Sequence, residues 1–62
     1  MTKNNKQWLT PTELQEEYGF SKSTQSKYRM ERKIPFSKIG KYIRYNRDQI
    51  NQWLESNKVE VV

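Results

Sequence analysis

The sequence predicts a small, mainly α domain with one β-hairpin, built from three helices and two strands. Three observations predict it. A chain of 62 residues with 32% apolar content folds as one unit, because chains this short rarely divide into two cores. Helix-capping residues at Thr10, Ser21 and Asn46 each stand before a stretch that reads as helix. Between the second and third of these, Phe36 to Tyr45 alternates apolar and polar residues on both sides of Gly40-Lys41.

Residues 1–7 are polar, lack periodicity and are expected to form a disordered N-terminal arm. The domain proper is expected over 8–56. Helix 1 starts at Thr10-Pro11-Thr12-Glu13, where Thr10 caps, Glu13 reaches back to it and Pro11 takes the first helical position. Leu9 staples onto Leu14 across the cap, and Leu14 and Tyr18 share one face. Gly19 ends this helix and Ser21 caps the next, so one helix stops and another starts within a few residues. That is the spacing of a helix-turn-helix.

Helix 2 runs from Ser21 to about Arg32. Ser21, Gln25, Tyr28 and Arg32 gather on one side of it, and Ser23, Ser26, Lys27 and Met30 on the other. Tyr28 is its core anchor, and Met30 is expected to fill a gap against the hairpin. Gln25 has two readings, a bidentate contact to adenine or a structural role beside Tyr28. Ile34-Pro35 stops the helix. The hairpin follows, with a Gly40-Lys41 pair that suits a type II′ turn, Ile43 and Tyr45 inward, and Lys41, Tyr42 and Arg44 outward. Asn46 caps helix 3, Arg47 to about Ser56, which should bury Ile50, Trp53 and Leu54. Residues 57–62 read as a flexible tail, although Val59 to Val62 has strand-like content.

Charge sharpens the picture. Twelve Lys and Arg against seven Asp and Glu give +5, and the balance is uneven. Residues 22–47 hold nine bases and one acid, net +8, and the rest of the chain three bases and six acids, net −3. Such a face favours a polyanion. Helix 2 spaces its cations with Ser23, Gln25 and Ser26, a make-up suited to a DNA groove. A membrane surface is disfavoured, because Tyr28 and Met30 lie on different helix faces and make no apolar stripe.

The chain has no cysteine or histidine, which leaves no disulfide and removes the commonest metal ligands and general base. Glu13, Glu16 and Glu17 read as a solvated helix face, since acid–base work needs carboxyls held in a pocket. No glycine-rich phosphate loop and no nucleophile–base set is present. The expectation is a non-enzyme that takes no cofactor, metal or small-molecule substrate. With no signal core in Met1 to Trp8 and no bilayer-length apolar run, it is expected to be cytoplasmic and nucleoid-associated.

The order of elements resembles the small winged helix-turn-helix DNA-binding domains of the MerR-like and phage excisionase group. Three motifs carry the resemblance over residues 9–54. They are Leu9-Thr10 with Glu13-Leu14, then Gly19-Phe20-Ser21-Lys22-Ser23-Thr24, then Ile34-Pro35 leading to Lys38-Ile39-Gly40, Arg44 and Ile50-Trp53-Leu54. The departures are Gln25 and Arg29, where such families usually place aliphatic residues. The resemblance implies double-stranded DNA binding, with helix 2 in the major groove and the hairpin as a wing on backbone or minor groove. It is equally compatible with a phage or mobile-element transcriptional regulator and with an excisionase-like factor acting beside an integrase or recombinase or further copies of itself.

Lys22, Ser23, Ser26 and Lys27 are the recognition-helix candidates. Lys38, Lys41 and Arg44 are the wing's phosphate candidates, with Tyr42 at its tip. A protein-interaction adaptor on the same scaffold is the alternative, with helix 3 or Val59 to Val62 as its docking edge.

Overall fold

The computed structural model describes residues 6–59. The elements are β1 (Trp8–Leu9), α1 (Pro11–Tyr18), α2 (Lys22–Met30), β2 (Ser37–Ile39), β3 (Tyr42–Asn46) and α3 (Arg47–Ser56). The winged helix-turn-helix expected from the sequence is what the chain forms.

Each helix starts where its cap requires. Thr10 Oγ1 accepts from the Glu13 amide at 3.1 Å while Glu13 Oε1 accepts from the Thr10 amide at 2.9 Å, a reciprocal pair that satisfies two otherwise unbonded N–H groups. Ser21 Oγ accepts from the Thr24 amide and Asn46 Oδ1 from the Gln49 amide. Gly19, at φ +84°, ends α1 and donates to the Gln15 carbonyl. A Cβ there would meet nothing within 4 Å. Backbone conformation, rather than space, is what demands glycine at that turn.

The end of α2 is less orthodox. The Arg32 amide donates to the Arg29 carbonyl at 3.1 Å and the Lys33 amide to the Tyr28 carbonyl at 2.8 Å, the double closure of a Schellman motif. This geometry sets the residue after the cap left-handed, and the residue there is Arg32 at φ +57°. Glycine or asparagine is the usual occupant, and an L side chain with a Cβ costs about 1–2 kcal/mol in that conformation.

The sheet differs from expectation by one strand. Trp8–Leu9, expected only as the lead-in to helix 1, pairs antiparallel with the far end of β3, Trp8 opposite Asn46 and Leu9 opposite Tyr45. The strand order is therefore β1-β3-β2. This third strand backs a hairpin that is only marginally stable by itself. Residues 1–5 of the expected arm lie outside the described residues. Lys6 and Gln7, its last two, are bonded to the body, through the Gln7 carbonyl to the Arg47 amide at 2.8 Å and Lys6 Nζ to Glu13 Oε2 at 2.7 Å. Gly40, at φ +60°, is the first of the two turn residues, and Lys41 keeps a negative φ, the pattern of a type II′ turn.

Leu9, Leu14, Ile34, Tyr45 and Ile50 form the buried centre, with Tyr18, Phe20, Tyr28, Phe36, Ile43 and Trp53 packed around it. Phe20, Tyr28 and Trp53 make a three-ring cluster, with centroids 5.6 to 6.5 Å apart and tilted or edge-on geometry. Two expectations about the core are corrected. Leu54, expected to be buried with Ile50 and Trp53, is 38% exposed, because α3 turns only its Ile50 and Trp53 side inward. Met30, expected to fill a gap against the wing, is 83% exposed, because the sheet meets α2 at Arg29, about 100° away around the helix. A single core of this size supplies a net stability of roughly 3–5 kcal/mol.

Candidate nucleic-acid interface

The interface is built on α2, and the turn before it fixes how α2 presents its faces. Gln25 is fully buried, and its Nε2 donates to the Phe20 carbonyl at 2.8 Å and the Pro11 carbonyl at 3.0 Å. It joins the start of α1 to the turn. Of its two sequence readings, adenine contact or packing, the structure assigns packing. Arg29, on the same side, donates from Nη1 to the Tyr45 hydroxyl at 2.5 Å, joining α2 to β3. Thr24 and Tyr28 complete this inward side, both half-buried.

The outward side is what remains. Lys22, Ser23, Ser26, Lys27 and Met30 are all exposed, and at 100° per residue they cover a continuous arc of roughly 140°. Met30 lies near the middle of that arc. The helical pairing of Met30 with Ser26 and Lys27 was the signal for this, and its apolar side chain masked it.

The wing candidates fall into two groups. Opposed residues of an antiparallel pair share a face, and the register sets Ile39 opposite Tyr42, Ser37 opposite Arg44 and Lys38 opposite Ile43. Tyr42 and Arg44 therefore share one face, and Lys38 lies on the other. Lys41 Nζ stands 5.7 Å from the Tyr42 ring centroid and the Arg44 guanidinium carbon 5.9 Å from it. This brings Lys41, Tyr42 and Arg44 together as two cations over one ring, an attraction of about 0.5–1 kcal/mol each at exposed sites. Arg44 Nη1 also donates to the Ile43 carbonyl at 2.7 Å. Ile39, which sequence reasoning left aside, is 78% exposed beside Tyr42, and only the register reveals it.

Ion pairing separates the cations further. Lys6 pairs with Glu13, Lys33 with Glu31, and Arg47 with Glu17. Two of the acids lie on α1, so the carboxylates expected as a solvated face also hold the first described residue and the start of α3. The Lys6 ammonium, followed by the Thr10 amide, lowers the Glu13 carboxyl below its ordinary range, and Glu17 raises the Arg47 guanidinium. The side chains of Lys22, Lys27, Arg32 and Lys38, in contrast, make no hydrogen bond or ion pair with any described residue. Their charge is directed at solvent or at whatever binds there. No helix among the described residues is long and apolar enough to cross a membrane.

A family model described as a helix-turn-helix domain matches residues 8–58. Neither the curated proteins nor the solved structures yield a match.

Proposed function

The chain belongs to the helix-turn-helix domain family, a DNA-binding fold, and from that premise we propose that it binds double-stranded DNA sequence-specifically, with α2 in the major groove and the hairpin on the adjacent phosphates. One observation carries the reading: the outward arc of α2 holds cations whose side chains have no partner among the described residues, Lys22 and Lys27, interleaved with hydroxyls at Ser23 and Ser26. On α1, in contrast, Glu13 and Glu17 are each paired, with Lys6 and Arg47. Lys22, Ser23, Ser26 and Lys27 meet base edges and nearby phosphates, and Met30 adds an apolar contact of the kind a thymine methyl accepts. Lys41 and Arg44 meet the backbone, with Tyr42 and Ile39 between the wing and the groove wall. Lys38 serves a strand on the hairpin's other face.

The role is that of a phage or mobile-element regulator, or of an excisionase-like architectural factor acting beside a recombinase. So small a module covers a half-site, which favours repeated or paired sites. Selection of bound duplexes from a random pool tests this, because site length, symmetry and spacing emerge together. For about five neutralised phosphates, log K should fall against log salt with a slope near −4.5, at ~0.9 per contact. A chain that leaves every duplex unshifted at low salt would instead be an interaction adaptor.

A further inference from the structure

We propose that Arg32 is a third phosphate contact, placed between α2 and α3 and separate from both the recognition face and the wing. The proposal rests on the DNA-binding reading above and extends its footprint.

Three observations meet at this residue. Its backbone is left-handed, at φ +57°, in an exposed turn where glycine would sit without strain. Its guanidinium makes no hydrogen bond or ion pair with any described residue, so no interaction within the fold offsets that strain. Finally, it borders a shallow open depression shared with Lys33 and with Gln49 and Gln52 of α3. Neither glutamine side chain is committed to a described partner, which leaves two amides beside the unpaired Arg32, with Lys33, paired to Glu31 at 3.4 Å, next to them. A guanidinium flanked by amide donors matches the oxygens of a phosphodiester, and Arg is the side chain best suited to that geometry. The Arg32 side chain is not required for helix capping, because the closure uses only the Arg32 and Lys33 backbone amides. Lys33 also supplies a cation for the α2 C-terminus.

Arg32→Gly and Arg32→Lys, each titrated against one duplex at several salt concentrations and each melted thermally, test the proposal. Arg32→Gly should melt at or above the unmodified chain, because glycine relieves the left-handed position. It should nevertheless bind up to about eightfold more weakly at 0.1 M salt, with a salt slope smaller by about one, as expected for one lost phosphate contact. Arg32→Lys should keep the slope. An Arg32→Gly chain that binds with unchanged affinity and slope would overturn the proposal, and so would one that melts lower, since Arg32 would then be structural. If the unmodified chain fails to bind any duplex, it is the DNA-binding reading itself that has failed.

Discussion

Arg29 on α2 donates a hydrogen bond to the hydroxyl of Tyr45 on β3, and Tyr45 is fully buried. The bond fixes α2 relative to the strand from which the wing projects. Tyr45→Phe removes the acceptor and keeps the ring. Hydrogen bonds to charged groups contribute about 1.5–3 kcal/mol, and the half-exposed Arg29 recovers part of that from water, so a loss of about 1–2 kcal/mol is expected. Thermal melting should register roughly 4–8 °C per kcal/mol in a domain of this size. Burial also raises the Tyr45 phenol above its ordinary 10.0, with Arg29 opposing the shift. The folded state thus holds its proton at pH values where the unfolded chain releases it, and stability falls as pH climbs above 10. Tyr45→Phe should flatten that alkaline decline.

Gln25 predicts the largest stability effect. Its amide bonds the Pro11 and Phe20 carbonyls, and its own Oε1 is buried without a described partner. Gln25→Ala opens a cavity and removes both of these hydrogen bonds, a cost of about 2–3 kcal/mol against a total of only roughly 3–5 kcal/mol. A denaturant midpoint cut by half or more is expected. If Gln25→Ala folded normally and changed only the preferred DNA site, the buried role would be wrong.

Both residues show what the sequence conveyed and what it concealed. The caps at Thr10, Ser21 and Asn46, the stop at Gly19 and the Gly40 turn were legible because each is local: one side chain or one φ decides it. β1 was hidden because a two-residue strand is defined by a partner 36 residues away, Leu9 against Tyr45. Gln25 and Arg29 depart from the aliphatic pattern because each replaces packing with hydrogen bonds to groups the fold brings from elsewhere. The exposed arc of α2, Lys22, Ser23, Ser26, Lys27 and Met30, followed from helical spacing alone. The split of Lys38 from Arg44 needed the strand register.

The Lys6–Glu13 pair predicts an acid limb. The Glu13 carboxyl is held below its ordinary 4.5, first by the Lys6 side chain and then by the Thr10 amide. Its contribution is present above pH 4.5 and is lost as pH falls through the lowered folded value. Glu13→Gln keeps an acceptor for the Thr10 amide and removes the titration. The variant should therefore melt below the parent at neutral pH, by the amount the paired carboxylate contributes, and lose less stability than the parent as pH falls below 4.5. An acid limb as steep in Glu13→Gln as in the parent would assign the effect to other carboxylates.

Lys27 and Lys41 separate base reading from backbone holding. Both are exposed, but Lys27 lies on the outward arc of α2 among Ser23, Ser26 and Met30, and Lys41 lies at the hairpin turn over the Tyr42 ring. A side chain that meets base edges contributes to the difference between sites, about 1–3 kcal/mol for a good contact. One that meets phosphate contributes alike to every duplex. Lys27→Ala should therefore narrow the gap between the selected site and random DNA. Lys41→Ala should weaken both in proportion and reduce the salt slope by about one. Titrating both variants against both duplexes at several salt concentrations gives all of these numbers. Equal losses on selected and random DNA for Lys27→Ala would move it from the base readers to the backbone contacts, and sequence preference would then rest on Lys22, Ser23, Ser26 and Met30.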